Sequence, residues 1–232
     1  MTERPVIYAI GDVHGRDDLL ERLYGQIQAD AERRYWNRVR RIVHLGDYVD
    51  RGPASRQVIE RAIAGLPGFE SVCLKGNHED MMLSYLETGT RWDAEQWLIN
   101  GGLETLESYG AAGEPLDIIA VRDAIGERHW RWLEGLKLSH REPGYFFVHA
   151  GIVPGRPLEE QEEKDLLWIR YAFLNSREDH GVRVVHGHTP VDAPEVRPNR
   201  INLDTGAYFS GHLTCAVFDG TENGGAPRFL MT

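Results

Sequence analysis

Five short apolar runs, each closing on small and chemically active residues, constrain this chain more than anything else in its sequence. Val6–Ile10 leads into Gly11-Asp12-Val13-His14-Gly15, and Ile42–Leu45 into Gly46-Asp47-Tyr48-Val49-Asp50-Arg51-Gly52. Val72–Leu74 is followed by Gly76-Asn77-His78-Glu79, Tyr145–Val148 by His149-Ala150-Gly151, and Val182–Val185 by His186-Gly187-His188-Thr189. Runs of this length, rich in β-branched residues and closed by glycine, read as buried strands. Helical patterns separate the first three. Arg16 to the region of Arg34 places Leu19, Leu20, Leu23 and Ile27 on one face, with Asp17 or Asp18 as N-cap, and Pro53 opens a helix with Val58, Ile59, Ala62, Ile63 and Leu66 inward. Strand–helix–strand alternation predicts a parallel sheet and an α/β class.

The middle of the chain, about residues 80–142, reads as mostly helical, with Met81, Met82, Tyr85, Leu86, Trp97, Leu98, Leu103, Leu106, Trp130, Trp132 and Leu133 on apolar faces. Ile201–Leu203 and Leu213–Phe218 add strands, and Glu159 to Asp165 reads as a solvated acidic helix face. Neither repeats nor linkers interrupt the 232 residues, so one domain over 1–232 is expected. The formal charge is −10 and no basic run occurs, which argues against general nucleic-acid or anionic-membrane binding. Two cysteines, Cys73 and Cys215, make no disulfide framework, and Met1-Thr2-Glu3-Arg4-Pro5 carries no apolar signal core. Both features predict a cytoplasmic location.

Beyond the carboxyl ends of strands in an α/β sheet lies the usual ligand crevice. Turn chemistry explains glycine and aspartate there, but not histidine at four separate strand ends. Carboxylate, amide and imidazole without thiolate suit hard or borderline divalent cations. Asp12 and His14, two apart in a turn, can face one ion; Asn77, His149 and His188 can serve a second, with Asp47 between them. Two such ions acidify a water and neutralise phosphoryl oxygens, which is phosphate-ester chemistry.

These motifs, in this order from residue 11 to 189, resemble the PPP family of metal-dependent serine/threonine phosphatases within the calcineurin-like metallophosphatase superfamily. Gly187-His188-Thr189 and Leu203-Asp204-Thr205-Gly206 are similar to its compact bacterial and bacteriophage branch. The resemblance implies a two-sheet β-sandwich flanked by helices, with the dimetal site at the strand C-terminal ends. It implies Asp12, His14 and Asp47 on one metal and Asp47, Asn77, His149 and His188 on the other. It makes His78 the general acid, oriented by Asp50, and Arg51 a phosphate ligand aided by Asn77. Arg170 is the best match for a second phosphate-binding arginine, with Arg183 and Arg177 as competitors. Asp204 is a candidate for orienting a ligand histidine. His44 and His186 are read as packing residues, and Cys73 as core because no arginine loop follows it.

The implied reaction is in-line attack on phosphorus by a metal-bridging hydroxide, with manganese, iron or zinc as the two divalent ions and a phosphoprotein or phosphopeptide as substrate. A diadenosine tetraphosphate hydrolase is the sibling alternative. A catalytically silent module that binds phosphorylated partners is another, which would dispense with His78, Asp50 or Arg51; all three are present. The oligomeric state leaves no mark on the sequence.

Overall fold

A computed structural model describes residues 4–111, 113, 117–220 and 226–232, so Met1–Glu3 of the N-terminal reading lie outside the described residues. The chain begins β1 (Val6–Ile10), α1 (Asp17–Arg34), β2 (Arg40–His44), α2 (Ser55–Ala64) and β3 (Glu70–Cys73). A helical stretch follows: α3 (Asn77–Thr88), α4 (Arg91–Trp97), a widened turn over Leu98–Gly102, α5 (Leu103–Tyr109) and α6 (Ile118–Glu134). Next come β4 (Ser139–Glu142), β5 (Tyr145–Val148), α7 (Glu163–Trp168), α8 (Tyr171–Leu174) and β6 (Arg183–His186). The chain closes with β7 (Glu195–Val196), β8 (Arg200–Asn202), α9 (Ala207–Ser210), β9 (Thr214–Phe218) and β10 (Arg228–Met231).

Two five-stranded mixed sheets result, ordered β10-β9-β1-β2-β3 and β4-β5-β6-β8-β7. The expected α/β sandwich flanked by helices is therefore present. β1, β2 and β3 run parallel, with Ile10 opposite His44 and His44 opposite Cys73, so the three strands end level. In the second sheet β5, β6 and β8 run parallel, with Phe147 opposite Val185 and His186 opposite Asn202. Strand alternation sorts the core into layers. Ile7, Ala9, Val43 and Leu45 meet Phe147, Val185, Ile201 and Leu203 between the sheets. Tyr8, Ile10 and Ile42 face the other way, against Leu20, Leu23 and Ile27 of α1, Val58 and Ile59 of α2, and the helical stretch. Phe146, Val148 and Val184 pack outward on Leu166 and Phe173. Each such aliphatic or aromatic side chain contributes about 1.5–3 kcal/mol on burial, which fixes the strand ends relative to one another.

Local readings are corrected in places. Neither Asp17 nor Asp18 caps α1: Asp17 opens the helix and is held by Arg61 at 2.6 and 2.9 Å, while Asp18 takes Arg16. Both carboxylates still lie in the first turn, where the helix dipole favours them. The second helix starts at Ser55 rather than Pro53. The helical stretch ends before Ser139–Glu142, which pairs antiparallel with β5. Leu103 is exposed, whereas Trp97 is fully buried. Among the described residues no helix is long and apolar enough to cross a membrane.

Candidate metal centre and active site

The level strand ends gather His14, Asp47, His149 and His188 into two clusters, the first joined by His78 rather than the expected Asp12, while Asp12 and Asn77 lie against His188. Asp12 and His14 follow β1, Asp47 follows β2, Asn77 begins α3 just beyond β3, His149 follows β5 and His188 follows β6. All six are at most 5% exposed. Two clusters have ligand-type atoms within 4.8 Å of one another: His14, Asp47 and His78, and Asp47, His149 and His188. Asp47 belongs to both, as a bridging ligand must. His14 Nε2 lies 3.4 Å from Asp47 Oδ2, and His149 Nε2 3.4 Å from Asp47 Oδ1.

Backbone carbonyls set the imidazole tautomers. His14 Nδ1–H donates to the Val49 carbonyl at 3.0 Å and His149 Nδ1–H to the Leu45 carbonyl at 2.9 Å. Each ring therefore turns an Nε2 lone pair into the site, and burial pushes both pKa values down, keeping them neutral. His149 Nε2 faces Asn77 Oδ1 at 2.9 Å, two acceptors with no proton between them. His188 Nδ1 stands 2.8 Å from the same oxygen. Asp12 accepts the His188 backbone N–H on Oδ2 at 2.8 Å, while its Oδ1 and His188 Nε2 are buried without a hydrogen-bond partner. Burial, then Asp204 and Asp47, push the Asp12 carboxyl well above its usual range. Burial pushes Asp47 the same way, but four imidazoles, led by His149, hold it below the usual range. Converging lone pairs, neutral imidazoles and crowded buried carboxylates fit divalent cations, so the donor set and the orphaned atoms agree.

Glycines make the approach possible. A Cβ on Gly187 would stand 1.9 Å from Asp12 Oδ1, and one on Gly76 2.1 Å from Asp47 Oδ1. Five non-glycine residues among those described have positive φ: His14 (45°), Asp47 (53°), Asp50 (71°), Arg51 (69°) and His188 (66°). Each costs about 1–2 kcal/mol and persists only where its surroundings over-determine it. Glu79 does much of that holding. Its fully buried carboxylate accepts the Gly76 and Asp47 N–H groups on Oε2, both at 2.9 Å, and those of Tyr48 and Val49 on Oε1 at 2.8 and 3.2 Å. In the sequence, only its place three residues after the helix-capping Gly76 marks Glu79 for a role.

His78 Nδ1–H donates to Asp50 Oδ2 at 2.7 Å, both residues being essentially buried. Burial would push His78 down; Asp47 and Asp50 outweigh it and lift the imidazole above its ordinary value. Arg51 reaches His14 Nε2 with Nη1 at 3.0 Å, and its guanidinium lies 4.9 Å from the Tyr208 ring centre. Tyr208, which sequence reasoning missed, also meets the His14 ring edge-on at 5.5 Å. Arg170 is exposed beside the second cluster, where its charge depresses His149 and His188. Its competitors lie elsewhere: Arg183 donates to the Pro198 carbonyl, and Arg177 lines a cavity with Asn199 and Arg200. Trp168 stands edge-on to His188 at 6.3 Å.

Several expected bystanders stay outside the centre. His44 bonds Tyr24 at 2.9 Å, and His186 lies beside Arg200. Burial pushes the Cys73 thiol up to about 11, the wrong direction for a nucleophile. Asp204 does not orient a histidine: its Oδ1 accepts the Gly206 N–H at 2.9 Å, and its electrostatic neighbours are Asp12 and Asp47.

A family model described as calcineurin-like phosphoesterase matches residues 5–215. The chain belongs to this family. Calcineurin-like phosphoesterases use two divalent metals, which agrees with the donor set above. Among curated relatives, serine/threonine-protein phosphatase 2 of Escherichia coli (strain K12) is 27% identical over 217 residues, covering 90% of each chain. The asymmetrical bis(5'-nucleosyl)-tetraphosphatase of Anoxybacillus flavithermus is 25% identical, covering 95% of this chain and 94% of its own. A solved crystal structure superposes with a TM-score of 0.68 at 22% identity, covering 99% of this chain and 93% of that one. The superposition shows the shared fold, and the family match carries the phosphoesterase class.

Proposed function

We propose that this calcineurin-like phosphoesterase removes phosphate from serine and threonine residues of proteins. The carrying observation is the buried His78–Asp50 pair at 2.7 Å beside the two ligand clusters. A serine or threonine alkoxide is a poor leaving group and needs a proton as the P–O bond breaks; a phosphoanhydride does not need one. The two relatives named phosphatase 2 and phosphatase 1 from enteric bacteria, each matched over 90% of both chains, favour the same reading.

Asp12, His14 and Asp47 would hold one cation, and Asp47, Asn77, His149 and His188 the other, with manganese as the proposed ion. When bound, the pair supplies an acidified water and charge to neutralise phosphoryl oxygens. The chain does the rest. Arg51 grips phosphoryl oxygens through its planar fork, with Asn77 and Arg170 completing the phosphate site. His78, its Nδ1–H committed to Asp50, delivers the Nε2 proton to the departing oxygen. The proposed attack on phosphorus is direct and in line; burial raises the thiols of Cys73 and Cys215, which lie in β3 and β9, so neither offers a thiolate nucleophile. Their unpaired state accords with the cytoplasm.

A second reading, hydrolysis of diadenosine tetraphosphate, is favoured by Trp168 and Tyr208, partly exposed rings beside His188 and His14 where bases can stack. Product chromatography with added manganese separates the two. Release of phosphate from a phosphoserine peptide supports the proposal; cleavage of the dinucleotide alone refutes it. Turnover of an aryl phosphate excludes a silent binding module.

A further inference from the structure

The run Trp97-Leu98-Ile99-Asn100-Gly101-Gly102 and the following Thr105 do more than pack. α4 delivers a fully buried Trp97, whose indole N–H donates to both Asp50 oxygens, at 2.9 Å to Oδ1 and 3.1 Å to Oδ2. Thr105, also fully buried, donates its hydroxyl to Asp50 Oδ1 at 2.6 Å. The Asp50 backbone N–H is shared by Thr105 Oγ1 at 2.8 Å and Ser55 Oγ at 3.0 Å. One residue on, the Arg51 N–H donates to the Gly101 carbonyl at 3.1 Å. The turn itself is built for this contact. Gly101 sits at φ 102°, and a Cβ there would stand 2.8 Å from Arg51 N, while one on Gly102 would stand 2.8 Å from the Trp97 ring. A segment some fifty residues downstream thus grips Asp50 and Arg51, both held at positive φ.

Oxygen by oxygen, the Asp50 carboxylate is fully subscribed. Oδ1 takes Trp97 and Thr105; Oδ2 takes His78 and the longer Trp97 contact. Removing either helical donor frees the carboxylate to rotate and releases its aim on His78. We infer that Trp97 and Thr105 are positioning residues that lock the Asp50 carboxylate, so that His78 presents its Nε2–H to the leaving oxygen. The inference rests on the monoesterase reading above. In the step concerned, a water oxygen forms a new P–O bond and gives up its proton to solvent, the electrons of the ester P–O bond pass to the leaving oxygen, and that oxygen takes the His78 Nε2 proton. The imidazole is left neutral with Nδ1–H still on Asp50, and Nε2 is reprotonated by solvent.

The test is leaving-group dependence, which a merely structural role would not produce. Parent, Trp97→Phe, Thr105→Val and Thr105→Ser proteins are assayed with manganese on a phosphoserine peptide and on p-nitrophenyl phosphate, whose phenolate departs without a proton. Trp97→Phe and Thr105→Val are expected to lose about 10-fold or more in kcat on the peptide, the effect of one lost hydrogen bond to a charged group. On the aryl phosphate they stay within about threefold of the parent, as a residue acting through proton donation requires. Bound manganese is unchanged by elemental analysis, and Thr105→Ser recovers the peptide activity. In a His78→Asn background Trp97→Phe adds no further loss. Equal losses on both substrates, or Thr105→Ser no better than Thr105→Val, overturn the inference. Should Trp97→Phe not fold, the Thr105 pair decides alone. A parent that hydrolyses the aryl ester but not the peptide overturns the serine/threonine phosphatase reading and, with it, the alkoxide-protonating acid that Trp97 and Thr105 would position.

Discussion

A single methyl group at Gly76 tests whether Asp47 has room to be anywhere but between two cations. Gly76 has φ −99° and ψ 172°, a conformation alanine adopts freely, so Gly76→Ala brings no backbone strain. The new Cβ would stand 2.1 Å from Asp47 Oδ1, 2.4 Å from Asp47 N and 2.8 Å from Glu79 Oε2, where real Cβ contacts stay beyond 3.0 Å. Asp47 must therefore retreat by about 1 Å, against the Glu79 carboxylate that holds its backbone; overpacking of this kind costs about 1–3 kcal/mol. Disturbing even the partners that orient a metal ligand costs 10–100-fold in affinity, so displacing the shared ligand should cost about 100-fold for both ions. Competition against a chelating dye reads the affinities, and urea denaturation of metal-free protein reads the stability. Gly25→Ala is the control: it lies exposed within α1 with nothing within 4 Å of its Cβ, and should gain about 1 kcal/mol. If Gly76→Ala binds two equivalents of manganese as tightly as the parent, the convergence on Asp47 is wrong.

Other outcomes follow from the same geometry. Asp47→Asn should lose both ions and all turnover; full metal content by elemental analysis would contradict its place in both clusters. His78→Asn should keep both ions yet lose most turnover of a phosphoserine peptide, measured as phosphate release. Tyr208→Leu removes the ring beneath the Arg51 guanidinium, and competitive inhibition by inorganic phosphate should weaken by about two- to fivefold, as for an exposed cation–π contact. Burial depresses His44 to about 4 and His186 to about 3, below the ordinary 6.5. The unfolded chain therefore binds these protons first, and stability present above pH 6.5 should fall by about 1.4 kcal/mol per pH unit and histidine as pH drops towards 4. His44→Gln should flatten that slope in metal-free urea titrations; an unchanged slope would refute the assignment.

The sheet was legible where it is covered on both faces. β1 reads as the continuous apolar run Val6–Ile10 because Tyr8 and Ile10 meet helices while Ile7 and Ala9 meet the second sheet. β4, with the sequence Ser-His-Arg-Glu, lies at a sheet edge and has no such signature, so it passed for helix; β7 and β10, also at edges, gave no signal either. The six ligand-type residues were legible because their side chains lie at strand ends, within a few residues of the runs that position them. Glu79, Trp97 and Thr105 were not, because their partners are tertiary: Glu79 binds the backbone of residues 47–49, and the other two reach Asp50. Nothing local distinguishes a packing tryptophan from one whose N–H holds a carboxylate. The left-handed backbone at Asp50 and Arg51 was equally hidden, since glycine, not aspartate or arginine, is the usual sign of it.

That hidden strain explains how the centre is divided. Asp47 and His188 cannot be exchanged for glycine to relieve their positive φ, since the side chain is what the site needs. Asp12, Asp47 and Asp204 crowd negative charge into a buried space, which burial alone makes unfavourable without cations. The fold answers the two problems from different directions. Glu79 and the Trp97–Thr105 segment brace the strained backbone with hydrogen bonds that need no ion. The carboxylates are left for the cations to neutralise. Hydrogen bonds thus set the geometry and the cations balance the charge, so losing the ions should leave the His78–Asp50–Trp97 arrangement standing.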